Sequence, residues 1–199
     1  MNSPALPASP LTRIAGLSAP LILFFLIQNA AGLGVLAIVG RLGAAEVGAL
    51  GLASAVNGLL VALLYGFDTA VQALVSRATG AGRRSEGLAA LRSTLALSAP
   101  AGFLLSGFTA LAGPAIAAAL TPDPVSAALA AENLRAGALS IALMGLTIPV
   151  NGYWIATGAP RISLAVAAAI VPVQIIFTLI LAPRFGLAGA GWAYSAACG

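Results

Sequence analysis

A chain of 199 residues that is 60% hydrophobic and 7% charged is too apolar for a soluble domain of its length, and it reads as an integral membrane protein. Its net charge of +4 comes from nine arginines and no lysine against five acids, an excess too thinly spread to argue for nucleic acid and suited instead to setting orientation in a bilayer. The lack of histidine excludes His-based triads, proton shuttles and metal sites, and the single Cys198 has no partner for a disulfide or a CxxC pair, so neither an enzyme nor an organic cofactor nor a metal centre is expected.

The charged residues punctuate the chain. Uncharged text from Ile14 to Gly40 outruns both a signal-peptide core and the roughly 20 residues that cross a bilayer, and predicts a first span over 14–40. A second follows over 47–76, interrupted only by Asp68, then a third over 93–120. The stretch "DPVSAALAAENLR", with its acidic start and periodic alanines, predicts a short interfacial helix leading into a fourth span over 136–158. A fifth occupies 162–183, and the text from 186 begins a sixth that stops at Gly199 before it is long enough to cross. The fold class is therefore all-α, a polytopic transmembrane helical bundle of five complete spans and the start of a sixth. The connections carry glycine and proline, as in "GRLGAAEVG", "GAGRRSEG", "TPDP" and "TGAPR", where helices end by geometry. Prolines inside spans, Pro20, Pro100, Pro149 and Pro172, predict helix kinks.

Orientation follows from the arginines on alternate sides. One side holds Arg13, Arg77, Arg83, Arg84, Arg92 and Arg161, the other Arg41, Arg135 and Arg184, which favours a cytoplasmic N-terminus. The expected location is the plasma (inner) membrane of the cell, with the lipid bilayer as the first partner.

Asp68 is the only ionisable residue inside a predicted span. It lies nine residues before Arg77, about 13 Å along a helix axis, so its short side chain does not reach that end. A carboxylate at such depth costs about 2.5–3.5 kcal/mol on insertion scales, which makes function the default reading. At about 100° per residue, Asn57 falls about 20° from the direction of Asp68, with Tyr65 one turn before it, Gln72 one turn after and Ser54 nearby. Ser140, Thr147, Asn151 and Trp154 share a face of the fourth span, Ser163, Gln174 and Thr178 a face of the fifth, and the first span offers Gln28 and Asn29. If these faces converge, they enclose a cavity of amides, hydroxyls and aromatics with one carboxylate, suited to amphipathic or cationic small molecules. The alternative is a polar seam that only holds helices together. A carboxylate for which a proton or a sodium ion competes with substrate is what an ion-coupled antiporter needs.

The order "LSAPLILFFLIQNAAGLGVLAIVGRLGAAEVGALGLA", "LLVALLYGFDTAVQALVSRATGAGRRSE", "NGYWIATGAPR" and "FGLAGAGWAYS" resembles the N-terminal half of multidrug and toxic compound extrusion (MATE) transporters, most specifically at "VGRLGA" and "GAGRR". The resemblance implies two six-helix lobes around a cleft that opens alternately to the two sides, driven by protons or sodium. Residues 1–199 would then be the N-terminal transmembrane lobe, and a C-terminal lobe is expected to be missing from the chain. Measured against that family, Val35 stands where many bacterial members carry an aspartate in the first span, Thr178 stands in an acidic slot of the fifth, and Gln72 stands where eukaryotic-type members often have an acid in the second. Two readings of Asp68 stay open: it takes over ion coupling from a neighbouring turn, or coupling belongs to the absent lobe and Asp68 is a substrate or structural contact. The expected function is a secondary active exporter of drug-like or cationic amphipathic solutes. Its rivals are a lipid-linked oligosaccharide flippase of the same superfamily, which the lack of arginine inside the spans disfavours, and a non-transporting truncated remnant.

Overall fold

A computed structural model describes residues 10–198, all helix apart from four short connections. The helices are α1 (Pro10–Val39), α2 (Ala44–Gly80), α3 (Arg84–Leu120), α4 (Pro124–Ala156) and α5 (Pro160–Cys198). Each is long and apolar enough to cross a membrane, so the chain is a multi-pass membrane protein.

The helices run past the boundaries that charge predicts. A 37-residue helix such as α2 or α3 is about 55 Å long, well beyond the roughly 30 Å of a hydrocarbon core. Charges mark where the bilayer ends, while the helix continues into water until a turn stops it. Hence α3 starts at Arg84 instead of residue 93 and carries Glu86 and Arg92 on exposed turns. For the same reason the short interfacial helix expected over 123–135 does not exist as a separate element. No proline or glycine breaks the chain between Pro124 and Arg135, Glu132 and Arg135 point outward, and the turn runs unbroken into the span as α4. Its start matches its acidic signature: Asp123 accepts from the backbone N–H of Ser126 at 2.9 Å and of Val125 at 3.3 Å, with Pro124 in the first turn.

The prolines expected to kink spans lie inside helices, Pro20 in α1, Pro100 in α3, Pro149 in α4 and Pro172 in α5, and the break in backbone geometry that the structure does contain lies at none of them. That break is at Gly186, where φ 59° and ψ −142° form a combination open in practice to glycine alone. It divides α5 into a full-length span and a terminal segment, residues 187–198, where the start of a sixth helix was expected.

The bundle is organised around α4, which packs against α2, α3 and α5; α1 packs mainly on α5 and barely touches α2. Although it is the least apolar of the five, α4 is the most buried. A helix surrounded by protein is released from the demand that lipid makes on its neighbours, and its buried surface is built from small residues that let backbones approach closely. Gly145 shows the effect at the crossing with α3. A Cβ there would stand 2.7 Å from the Ser98 carbonyl oxygen and 2.9 Å from the Gly102 Cα, so the two helices meet backbone to backbone. Large exposed side chains such as Phe25, Leu26, Leu33, Leu63, Leu104 and Leu111 form the outer surface that lipid would cover.

Candidate functional site

The gap between α1 and α2 opens into a cavity of about 360 Å³. Gly32 and Val35 line it from α1. From α2 come Leu50, Ser54, Asn57, Gly58, Val61 and Tyr65, and α4 forms its floor with Asn133, Gly137, Ser140, Ile141 and Met144. Gln174 closes it from the span of α5, and Ala190, Gly191 and Tyr194 from the terminal segment.

The terminal segment is seated on α4. Asn133 Nδ2 donates to the Leu187 carbonyl at 2.9 Å, just after the break at Gly186, and Ser195 Oγ donates to the Ala136 carbonyl at 2.9 Å. Between them Gly191 lies so close to α4 that a Cβ on it would stand 2.8 Å from Ala136 Cβ. Tyr194 is thereby turned toward Met144, with its hydroxyl 3.7 Å from the sulfur. Elsewhere in the cavity Ser140 Oγ donates to the Gly137 carbonyl at 2.6 Å, and Asn57 Oδ1 is buried with no hydrogen-bond partner. The lining is mostly apolar, set with amides, hydroxyls and two tyrosines. Among the described residues it holds no charged side chain.

Of the polar residues singled out in the sequence, Ser54, Asn57, Tyr65, Ser140 and Gln174 meet in this cavity. The others lie outside its lining. Gln28 is exposed on α1, Asn151 is half-buried further along α4, and Trp154 stacks edge-on against Tyr153. Thr178 is fully buried, its hydroxyl donating to the Gln174 carbonyl at 2.8 Å. Gln72 instead donates from Nε2 to Asp68 Oδ2 at 2.7 Å. Asp68 itself stands one turn beyond Tyr65, past the end of the cavity. Its Oδ1 is buried, unpartnered, and pressed against α4 at Gly152.

Direction was right where height was not. Asn57 and Asp68 share a line on α2, and Ser140 and Asn151 share one on α4, but the cavity covers only about three turns of α4, so the far member of each pair falls beyond it. Sequence reasoning missed Asn133, Met144 and Tyr194. Asn133 could have been found: it precedes Ser140 by seven residues, about 20° away on the same face, once α4 is taken as one helix.

An all-α bundle of long apolar helices, with a central small-residue helix and a cavity carrying a few polar groups between two loosely packed neighbours, is the architecture of one lobe of a membrane transporter. The MatE family model matches residues 20–180, and the chain belongs to that family. Its structure is similar to the outward-facing conformation of a multidrug resistance MATE family transporter of the MOP superfamily, with a TM-score of 0.87 at 20% identity over 94% of this chain and 42% of that one. A MOP superfamily transporter from Pyrococcus furiosus Vc1, described as having a binding pocket of reverse polarity, gives the same four values. A MATE structure in complex with Br-NRF gives a TM-score of 0.81 at 21% identity over 94% of this chain and 43% of that one. The chain thus spans less than half the length of the solved transporters it matches. No curated protein sequence matches it.

Proposed function

We propose that this chain is one lobe of a secondary active exporter, an antiporter that moves drug-like or cationic amphipathic solutes out of the cytoplasm against a proton or sodium gradient. The observation that carries the reading is the cavity in the gap between α1 and α2: it is open, largely apolar, set with amides, hydroxyls and two tyrosine rings, and backed by a helix whose small residues fix it in place. Such a pocket recognises a solute by stacking and hydrogen bonding without a covalent step. Asn57, Tyr65, Asn133, Gln174 and Tyr194 hold the solute, and Asp68, one turn from Tyr65, holds the coupling cation. Family membership supports the reading, as does the likeness to a multidrug resistance transporter. The second lobe that such an exporter requires is expected from the matched transporters' greater length. The N-terminus lies in the cytoplasm of a cell bounded by the plasma (inner) membrane, following the arginine asymmetry.

The test uses the complete transporter in proteoliposomes. Asp68→Asn keeps the shape of the side chain and removes its charge. Efflux driven by an imposed proton or sodium gradient is expected to fall to the rate without a gradient, while solute still binds. Undiminished gradient-driven efflux would overturn the assignment of coupling to Asp68.

A further inference from the structure

The carboxylate and the cavity are separate sites, which bears on how one would act on the other. Asp68 Oδ2 takes its hydrogen bond from Gln72, on its own helix. Asp68 Oδ1 has no partner and is shut in the seam between α2 and α4. What admits it there is Gly152: a Cβ on that residue would collide with Oδ1, and would also stand 3.0 Å from Val71 Cγ1. Gly152 is therefore a notch in α4 cut to the size of one carboxyl oxygen.

No opposite charge accompanies it. On α2 the titratable side chain nearest Asp68 is Tyr65, and from the end of α5 Tyr194, with Cys198 beside it, reaches Tyr65. On α4 Tyr153 follows Gly152 in sequence. The charged residues Arg84, Glu86 and Arg92 of α3 and Glu132 and Arg135 of α4 are exposed, and the one ion pair among the described residues joins Arg83 to Glu86. A hard cation is held by several oxygens, whereas Oδ1 faces a helix backbone whose carbonyls are committed to the helix, and the described residues contain no cluster of acids that could hold a metal ion. A proton needs only the one oxygen.

We propose that Asp68 and Gly152 form a proton-operated latch between α2 and α4, set apart from the solute cavity. With a proton on the carboxylate, the neutral acid sits in the notch and the seam is closed. When the proton leaves to water, one charged oxygen without a donor is too costly to keep in the seam, so α2 moves off α4 until water reaches it. Because α2 and α4 both line the cavity, that movement changes the grip on solute. Proton and solute are then coupled through the helix seam and do not compete for one charge. Gly152 acts here as a positioning residue. The inference rests on the exporter reading for its use in transport, but the latch itself is measurable without transport.

The probe is dicyclohexylcarbodiimide, which reacts with protonated carboxyl groups in apolar surroundings, applied to the protein in membranes and read by mass spectrometry across pH 5–9. Exposed Glu86, Asp123 and Glu132 serve as internal controls. Asp68 is expected to label in preference to them, with labelling that declines as pH rises, is unchanged when sodium is replaced by potassium, and responds equally to neutral and cationic solutes. Gly152→Ala should move the midpoint of that profile by about one pH unit or more, a tenfold change in proton affinity. Gln72→Leu, which leaves the notch intact and removes the only donor, should extend labelling to higher pH and supplies the test if Gly152→Ala does not insert. Labelling of Asp68 no greater than the controls, a profile unchanged in the inserted variants, suppression by sodium, or a response confined to cationic solutes would each overturn the latch. Absence of solute transport in the complete protein, with the labelling pattern intact, would count against the exporter reading and leave the latch standing.

Discussion

Single side chains do two kinds of work in this bundle, and they differ in how far their partners lie along the chain. Asp123 works locally. Hydrogen bonds from the Ser126 hydroxyl and then its backbone N–H, with a smaller contribution from Val125 N–H, hold its carboxyl below the usual carboxylate range. A depressed folded-state pKa means that the cap contributes above the ordinary value near 3.8 and is lost as pH falls through the folded value. Protection from amide exchange in the first turn of α4, measured against the intrinsic rate at each pH, should therefore hold at neutral pH and fall only in strong acid, and Asp123→Ala should remove the dependence. Asn133 works at long range. Its amide donates to the Leu187 carbonyl, just after the break at Gly186, and so ties the terminal segment to α4 inside the protein. Asn133→Ala is expected to lower stability by about 0.5–1.5 kcal/mol, the net worth of one buried hydrogen bond, read as an earlier midpoint in detergent-titrated unfolding. The local cap was legible in "TPDPVS", because an acidic residue before a proline states its own purpose. The role of Asn133 was not, because its partner lies 54 residues away and the sequence between them does not say which turns meet.

At the scale of helices, the sequence stated number and type well and ends poorly. Long uncharged runs can only be spans in a chain this apolar, so five were visible. Arginine clusters mark where the bilayer ends and not where a helix does: α3 begins within one, since a helix leaving the bilayer loses its lipid and not its hydrogen bonds. Which face each helix buries depends on small residues more than large ones, and a periodic wheel of leucines misleads when lipid is the solvent. The crossing of α3 and α4 tests this. Gly145→Ala should force Ser98 and Gly102 away and cost about 1–3 kcal/mol, as overpacking does. Gly107→Ala on the exposed side of α3, where a Cβ meets nothing within 4 Å, should be neutral or stabilise by up to about 1 kcal/mol through helix propensity. The two substitutions are chemically identical, so equal effects in unfolding titrations would mean that backbone contact at the crossing is not what holds α3 to α4.

Over the whole molecule, the arrangement is α4 packed against α2, α3 and α5, with α1 carried on α5 and parted from α2. That separation creates the cavity, and it is the part of the site the sequence did not contain. Helical phase gives the direction of Asn57, Tyr65 and Gln174, but how far α1 stands from α2, and at what depth the gap closes, depend on contacts of α1 with α5 that leave no periodic mark. This is also why Asp68, on the right line, proved to lie past the cavity's end. Two glycines of α2 isolate the cavity from the fold that supports it. Gly58 lines it and Gly66 does not, and at both a Cβ would meet nothing within 4 Å. Gly58→Phe therefore projects a ring into the space reserved for solute, and Gly66→Phe projects the same ring away from it. Both variants should insert and unfold alike. Equilibrium solute binding should weaken by at least about tenfold, or ~1.4 kcal/mol, in the first variant only. Equal binding by the two would overturn the proposal that solute is held between α1 and α2.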